Sequence, residues 1–381
     1  MRKTRLTSAA VIVAATSLAV GSVVSAQSPG ASGAPAGSSD LKIGLVTDVG
    51  TIDDKGFNEY SFAGTVDGAA AIGAAAPQYA ISAQSADIGP NIQAFVDQAY
   101  DVIVTVGFAA GADTINAARE NPDIKFIGVD QAPCIDAEGQ PDSTFTCAGD
   151  PAALLPNLQG INWREQQPGY LAGIVAASIS ETGQIAAVGG TQVVPAVPNY
   201  IVGYENGAKS INPDINVTVV YASGAPDAAA FNDPAGGQAL AQQMLQQNPD
   251  IDVFFQVAGK TGNGVLQAAC DAGIWAIGVD VDQFVSAPET AACTVVSAEK
   301  KLSKNVSDAI QRIAAGTDVG GILRLDITTD DVGLSPFHDH ASLITPETQA
   351  AIDAAVLGMK DGTLEACEPQ EGTGFCVVPA A

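Results

Sequence analysis

Basic residues are scarce in this 381-residue chain. It has 16 Lys and Arg against 42 Asp and Glu, which gives a formal net charge of −26 at pH 7. A surface this acidic repels the phosphates of nucleic acids and anionic lipid headgroups. The composition therefore argues against a nucleic-acid partner and favours a well-solvated protein.

Residues that carry catalysis or bind metals are also sparse. The two histidines lie together in His338-Asp339-His340, a pattern more typical of a surface turn than of a metal site. The cysteines include no C-x-x-C pair of the kind that holds zinc. Gly259-Lys260-Thr261 lacks the first glycine of a phosphate-binding loop, because Phe254 stands at that position. No nucleophile has a base at a recognisable spacing, so the sequence predicts no enzyme, no metal site and no cofactor.

The chain has no apolar run long enough for a membrane span, which needs about 20 residues. Its most apolar segment, 9–20, follows three basic residues and precedes Val24-Ser25-Ala26, which is typical of a signal peptidase site. The pattern predicts a signal peptide over 1–26 and an exported, extracytoplasmic protein. Residues 27–40 are rich in Gly, Ala, Ser and Pro and predict a flexible linker.

A polar segment, Asp48-Val49-Gly50-Thr51-Ile52-Asp53-Asp54-Lys55-Gly56-Phe57-Asn58, follows a short strand pattern and opens a helical one. In an open α/β sheet, ligands bind at such carboxyl ends of strands. Asp48 can accept from hydroxyl or amine donors, Phe57 offers a flat face for stacking, and Asn58 carries a donor and an acceptor. These three residues are candidate ligand contacts.

An internal repeat indicates two similar lobes. Residues 101–131 and 252–283 each contain a strand, a glycine-containing turn, an alanine-rich helix and a second strand that ends in Asp. This order is typical of a parallel sheet with right-handed crossovers. Asp130 and Asp280 hold equivalent strand ends, so we expect them to face each other across a cleft.

Further motifs run in order along the chain after residue 40. They are Thr47-Asp48-Val49-Gly50 with Asp53-Asp54-Lys55-Gly56-Phe57-Asn58, Trp163-Arg164-Glu165-Gln166 with Gly169-Tyr170-Leu171-Ala172-Gly173, Phe231-Asn232-Asp233-Pro234, Val257-Ala258-Gly259-Lys260-Thr261-Gly262, and Ile277-Gly278-Val279-Asp280. Together they resemble the basic membrane protein family of ABC-transporter substrate-binding proteins, whose better understood members bind purine nucleosides. The chain departs from that family at Lys260, where Gly is more frequent, at Trp163, where Phe is commoner, and at Gly56, where Ser is usual.

The resemblance implies a periplasmic-binding-protein-like type I fold, an α/β architecture of two doubly wound parallel-sheet lobes joined by a hinge that closes around a ligand. The strand pattern then assigns 41–157 and 293–317 to lobe I, and 158–292 and 318–381 to lobe II. The chain crosses between the lobes three times in this arrangement.

The resemblance also implies a ligand-binding set. Its members are Asp48, Phe57, Asn58, Asp130, Phe231, Gly259, Asp280 and Lys300. Phe57 and Phe231 would sandwich a planar base. Asn58 and Asp130 would hydrogen-bond the edge of that base.

The remaining members of the set would serve the sugar and the cleft itself. Asp280 would accept from the ribose hydroxyls, with Asp48 nearby. Lys300 would offset the acidic charge of the cleft, and Gly259 would allow the backbone to approach the ligand.

The resemblance implies a monomeric solute-binding component that serves the permease and ATPase subunits of an ABC importer. An exported receptor of the same fold that senses its ligand through another partner stays open. So does a different planar ligand, such as a pyrimidine nucleoside or a flavin. Family members are often lipoproteins, but Ser22 stands where the lipobox cysteine would, so no lipid anchor is expected.

The six cysteines are even in number and lie in an exported chain, so disulfides are expected. Six cysteines allow fifteen connectivities. We favour pairing between near neighbours, since two of the resulting loops are short and rich in Gly, Pro and Asp. The pairs are Cys134 with Cys147, Cys270 with Cys293, and Cys367 with Cys376.

Overall fold

The computed structural model describes residues 39–225, 228–369 and 376. These residues form twelve β-strands and eleven α-helices. The predicted signal peptide (1–26), nearly all of the predicted linker (27–40) and Ser22 lie outside the described residues.

The first sheet is wholly parallel and has the strand order β11-β5-β4-β3-β1-β2. Its strands are β1 (Ile43–Val49), β2 (Gln78–Ser82), β3 (Val102–Val106), β4 (Lys125–Val129), β5 (Leu158–Trp163) and β11 (Gly321–Leu325). The helices that pack with it are α1 (Phe57–Ala71), α2 (Ile88–Asp97), α3 (Gly111–Glu120), α4 (Pro151–Leu154) and α10 (Leu302–Ala314). Sheet and helices together form lobe I.

The second sheet has the order β12-β10-β9-β8-β6-β7 and is parallel except for the β10–β12 pair. Its strands are β6 (Gln184–Thr191), β7 (Asn216–Ser223), β8 (Val253–Val257), β9 (Trp275–Asp280), β10 (Thr294–Lys300) and β12 (Val332–Leu334). Its helices are α5 (Gln166–Ile179), α6 (Ala196–Ile211), α7 (Pro234–Gln247), α8 (Gly259–Ala272), α9 (Gln283–Ser286) and α11 (Pro346–Asp361). This is lobe II.

The repeat seen in the sequence supplies the middle of each lobe. β3, α3 and β4 form one copy, and β8, α8 and β9 form the other. Every residue of β3 and β8 is buried, as expected for apolar strands that are covered on both faces of a parallel sheet. The predicted fold class, two doubly wound parallel lobes, is confirmed.

Three strands lie in the lobe opposite to the predicted one. The sequence pattern places β5 and β11 in lobe II and β10 in lobe I, but β11 pairs with β5 in lobe I and β10 pairs with β9 in lobe II. A parallel strand is positioned by partners that are distant in sequence, so its own pattern does not determine its sheet. The chain does cross three times between the sheets, at 163–166, 300–302 and 325–332.

Glycines bring α5 and α6 into close contact. A Cβ added at Gly173 would lie 2.0 Å from the carbonyl oxygen of Tyr204. One added at Gly207 would lie 1.9 Å from the carbonyl oxygen of Tyr170. The two helices can therefore approach this closely only because these positions lack side chains.

All three predicted disulfides are present: Cys134–Cys147, Cys270–Cys293 and Cys367–Cys376. Within the part of the chain that the structure describes, none of the helices combines the length and apolarity needed to cross a bilayer.

Candidate ligand-binding site

A cavity of about 520 Å³ lies at the carboxyl ends of the strands, between the two lobes. Sites for small molecules commonly have volumes of about 300 to 1,000 Å³. Its wall includes every residue of the predicted ligand-binding set: Asp48, Phe57, Asn58, Asp130, Phe231, Gly259, Asp280 and Lys300. The structure thus brings these residues together, and their contacts with a ligand stay a prediction.

Lys300 links the two lobes inside the cavity. Its Nζ lies 2.6 Å from Oδ2 of Asp130, which follows β4 in lobe I, and 3.2 Å from Oδ1 of Asp280, which ends β9 in lobe II. The two aspartates have positive φ angles of 56° and 66°, a conformation that Asp adopts more readily than most residues. They face each other across the cleft, as the repeat predicts.

The lysine is almost completely enclosed. Its Nζ also lies 3.9 Å from Oε1 of Glu165 and within 5.2 to 5.7 Å of the ring centres of Phe57, Trp163 and Tyr200. Burial opposes the charge, but the attraction of Asp130, Asp280 and Glu165 outweighs it and raises the pKa of Lys300 above its usual value. The cavity therefore contains a fixed cation that carboxylates surround.

One carboxylate oxygen of Asp130 has no hydrogen-bond partner. Its Oδ2 binds Lys300, whereas its Oδ1 is buried and has no hydrogen-bond partner. Burial raises the pKa of Asp130, and the charge of Lys300 offsets part of that increase. Because an unpaired buried acceptor costs free energy, this oxygen is suited to accept a hydrogen bond from a ligand.

Glu165 is a fully buried carboxylate that sequence reasoning missed. It precedes α5 at a crossing between the lobes, and its Oε2 accepts a hydrogen bond of 3.2 Å from Nδ2 of Asn199. Burial raises the pKa of Glu165 to about 7, against the opposing attraction of Lys300. In the sequence an acidic residue at the start of a helix suggests an exposed cap, so only its place beside Trp163 in the family motif pointed to it.

The side chain of Asn58 forms hydrogen bonds with two neighbouring residues. Its Oδ1 accepts from the N–H of Asp48 at 3.0 Å, and its Nδ2 donates to Oδ2 of Asp54 at 3.0 Å. The Asp54 carboxylate also accepts from backbone N–H groups at the start of α1. Asn58 thus retains one N–H and one lone pair for a ligand.

Asp48 is half-buried near the end of β1. Its Oδ1 accepts from the Val49 N–H at 2.7 Å, and its side chain lies against Gly107, where an added Cβ would come within 1.9 Å of Oδ2. Burial raises the pKa of Asp48 to about 7; the bond from Val49 opposes this, and the charges of Asp130 and Asp54 add to it.

The two candidate aromatic residues reach the cavity from different lobes. Phe57 begins α1 in lobe I. Phe231 ends a short 3₁₀ turn in lobe II, and its ring lies so close to β6 that a Cβ at Gly190 would be 2.2 Å from it. Gly259, with φ of 54°, lies beside Phe231 at the start of α8. The structure therefore provides an aromatic face on each side of the cleft.

Polar contacts hold the lobes together at the mouth of the cavity. Nδ2 of Asn263 donates to the carbonyl oxygen of Asp54 at 3.0 Å, and Oγ of Ser286 donates to the carbonyl oxygen of Lys55 at 2.8 Å. Lys55 also forms an ion pair with Glu289. These contacts join the loop that precedes α1 to lobe II, so the structure is that of a closed cleft.

The two histidines lie apart from the cavity. Nε2 of His338 contacts Oδ2 of Asp282 at 2.7 Å, and Nε2 of His340 contacts the carbonyl oxygen of Ala291 at 2.8 Å. The described part of the chain contains no group of three or more His, Cys, Asp or Glu side chains placed to hold a metal ion.

Comparisons with known proteins agree with this architecture. Residues 42–355 match the family model described as ABC transporter substrate-binding protein PnrA-like. A Lactococcus lactis protein named ABC transporter nucleoside-binding protein BmpA is 28% identical over 255 residues, which cover 64% of this chain and 65% of that protein. The CD4+ T-cell-stimulating antigen of Listeria innocua is 27% identical over 386 residues, which cover 97% of this chain and 99% of that protein.

Solved structures resemble the fold as well. An ABC transporter solute-binding protein from Aeropyrum pernix gives a TM-score of 0.71 at 22% identity, over 87% of this chain and 94% of that one. One from Conexibacter woesei gives a TM-score of 0.63 at 23% identity, over 85% and 98%.

Proposed function

The chain belongs to the PnrA-like family of ABC transporter substrate-binding proteins, and from this premise we propose that it binds a purine nucleoside between its lobes and delivers it to an ABC importer. The similarity to a protein named as a nucleoside-binding component supports the ligand class. Its partners are then the permease and ATPase subunits of the importer.

The base lies between Phe57 and Phe231 in this proposal. Aromatic rings on both sides of a cleft suit a planar heterocycle, because offset stacking needs flat faces. The free oxygen of Asp130 accepts from an N–H on the edge of the base, and the remaining N–H of Asn58 donates to it. A sugar without a base would leave both rings without a partner.

The ribose lies against Asp280 in lobe II. A carboxylate that accepts from two adjacent hydroxyls forms hydrogen bonds stronger than those between neutral groups. Lys300 fixes the position of that carboxylate, because its Nζ lies 3.2 Å from Oδ1 of Asp280. Asp48 supplies a further acceptor from lobe I.

One observation carries the proposal: Phe57, Asp130, Asp280 and Phe231 line a single cavity although they come from two lobes. A ligand that contacts both lobes favours their closed arrangement, because it binds that arrangement more tightly than the open one.

The test is calorimetry with adenosine, guanosine and inosine, their free bases, riboflavin and simple sugars. Asp280→Asn is the informative variant, since Asn tolerates the positive φ of 66° and lacks the charge. Its affinity for a riboside should fall by about 1.5 to 3 kcal/mol, roughly tenfold to a hundredfold, and its affinity for the free base should fall less. Asp282→Asn is the matched control, since Asp282 does not belong to the wall of the cavity.

Different failures have different meanings. Tight binding of a sugar or amino acid, without binding of a nucleoside, would overturn the ligand class. Tight binding of riboflavin in place of a purine nucleoside would replace the ligand with another planar one. Unchanged uptake of labelled nucleoside in cells that lack the protein would favour a sensing role over import.

A further inference from the structure

We infer that the cavity contains a second, apolar subsite and that the preferred ligand is a nucleoside whose base carries an apolar or aromatic substituent. This inference rests on the proposed function and specifies its ligand. The aromatic subsite, as we call it, is formed by Phe108, Ile115, Pro133, Pro141 and Phe145. None of these residues belongs to the predicted ligand-binding set, so they extend the wall beyond the residues that a bare nucleoside needs.

Two phenylalanines give the aromatic subsite its shape. The rings of Phe108 and Phe145 are nearly parallel, with an interplanar angle of 13° and centroids 6.5 Å apart. Phe145 is 68% exposed, although it lines the same cavity as Asp130. A ligand that packs against a large, solvent-exposed aromatic side chain removes apolar surface from water, which favours binding.

The loop that carries Phe145, the disulfide loop (residues 134–147), is firmly attached. The Cys134–Cys147 bond closes it, and Ile135 anchors it in the core of lobe I with no exposed surface. The Cys134 carbonyl oxygen accepts from the N–H of Asp142 at 3.0 Å. These attachments hold Phe145 beside Phe108 and so define the subsite before a ligand binds.

Asp142 is the carboxylate of the disulfide loop that lines the cavity, and it accepts hydrogen bonds from its own loop. Asp142 accepts hydrogen bonds from the N–H and the hydroxyl of Thr144 and from the N–H of Cys147. The hydrogen bonds from Thr144 lower the pKa of Asp142. These hydrogen bonds hold the carboxylate within the loop, and the five residues that form the aromatic subsite are all apolar, so stacking and apolar contact are its chemistry.

The position of the aromatic subsite indicates which part of the ligand it contacts. Phe108 follows β3, and the disulfide loop follows β4, so both belong to lobe I. Lobe I also carries Phe57, Asn58 and Asp130, which the proposed function assigns to the base. Since Asp280, assigned to the ribose, belongs to lobe II, the substituent lies on the edge of the base that points away from the ribose.

The experiment compares adenosine and guanosine with derivatives that carry a benzyl group on the exocyclic amine, by calorimetry on the full-length mature protein. An additional aromatic contact of about 0.5 to 1.5 kcal/mol predicts that the benzyl derivative binds roughly twofold to tenfold more tightly. In Phe145→Ala this advantage should disappear while the affinity for the unsubstituted nucleoside stays the same. Leu357→Ala, at an exposed position of α11 outside the cavity wall, is the control and should keep the advantage.

The outcomes separate this inference from the proposed function. If unsubstituted nucleosides bind and the benzyl derivatives bind no more tightly, the aromatic subsite is wrong and the proposed function stands. If Phe145→Ala weakens both members of a pair equally, the ring contacts the nucleoside itself and the inference fails in that form. If neither member of either pair binds, both proposals fail together.

Discussion

Asp130 and Asp280 hold the same lysine from opposite lobes, and each does so from the same position in its copy of the repeat. Oδ2 of Asp130 and Oδ1 of Asp280 lie 2.6 and 3.2 Å from Nζ of Lys300, and both aspartates have left-handed backbones. The lysine thus neutralises carboxylates that would repel each other across the closed cleft.

Lys300→Met should destabilise the closed protein strongly. Loss of one partner from a buried ion pair costs about 3 to 5 kcal/mol, because the charge left behind remains desolvated. Burial raises the pKa of Asp130 and of Glu165, so protonation of these two carboxyls at low pH relieves the repulsion, and the loss in the free energy of unfolding should be smaller at pH 5 than at pH 8. Urea denaturation at both pH values checks this.

Lys301→Met is the matched control for that measurement. Lys301 is the next residue, and it pairs with Glu299; the side chains are 40% and 10% exposed, respectively. Because water reaches the Lys301 end of the pair, its loss should cost at most about 1 kcal/mol. Equal effects of the two substitutions would contradict the role assigned to Lys300.

Asp48 should make the ligand-free protein less stable as the pH rises from about 4 to about 7. Its pKa is raised from 3.8 to about 7, so the folded state keeps a proton that the unfolded chain releases in that range. One such group contributes a slope of up to about 1.4 kcal/mol per pH unit. Asp48→Asn should therefore flatten the dependence of the free energy of unfolding on pH.

Asp53→Asn tests whether the effect is specific to Asp48. Asp53 is exposed, and its hydrogen bond with Thr51 lowers its pKa, so it is ionised in both states above about pH 5. The substitution should leave the slope between pH 5 and 7 unchanged. A flattened slope in Asp53→Asn but not in Asp48→Asn would reverse the assignment.

Asn263→Ala should weaken ligand binding although Asn263 does not belong to the wall of the cavity. It removes the hydrogen bond of Asn263 to the carbonyl oxygen of Asp54, which joins the lobes at the mouth of the cavity. A loss of about 1 kcal/mol from the closed state raises the dissociation constant about fivefold. Calorimetry measures it, and X-ray scattering of the ligand-free variant should give a larger radius of gyration.

Gln267→Ala is the control on the same helix. The Gln267 side chain donates to Asp271 within α8 and makes no hydrogen bond to lobe I among those described. Binding should be unaffected. A similar loss in both variants would attribute the effect to α8 itself and not to closure of the lobes.

Gly173→Ala should lower the free energy of unfolding by about 1 to 3 kcal/mol. The new methyl group would lie 2.0 Å from the Tyr204 carbonyl oxygen, so α5 and α6 must move apart. Gly111→Ala is the opposite case, because the position is helical and an added Cβ meets nothing within 4 Å. It should stabilise the protein by about 0.5 to 1 kcal/mol, and denaturation of both variants compares the two glycines.

Local patterns were sufficient to predict the repeat, its strand ends and the disulfide pairs. β3 and β8 are compact apolar runs between turn residues, and Asp130 and Asp280 follow directly from aligning the two copies. Each copy of the repeat and each disulfide loop lies within about thirty residues. Over such a length, the order of apolar, turn and small residues can be interpreted from the sequence alone.

The features that sequence missed depend on distant parts of the chain. β10 resembles any buried strand, and only its pairing with β9 places it in lobe II. Glu165 becomes a buried partner of Lys300, which lines the cavity, because Lys300 and Asn199 come to it from elsewhere in the chain. Asp48 and Asp54 occupy one acceptor and one donor of the Asn58 amide, which the sequence does not show, and the contact of the remaining N–H with a ligand stays a prediction.

The three crossings also determine how the protein must be assembled. Lobe I receives its edge strand β11 from residues 321–325 and its helix α10 from residues 302–314, although its other strands lie before residue 164. A chain that ends near residue 290 would leave β5 and β9 as open sheet edges, which are prone to pair with other chains. Folding of either lobe therefore finishes only when nearly the whole polypeptide is available, and until then the open strand edges can pair with other chains and aggregate.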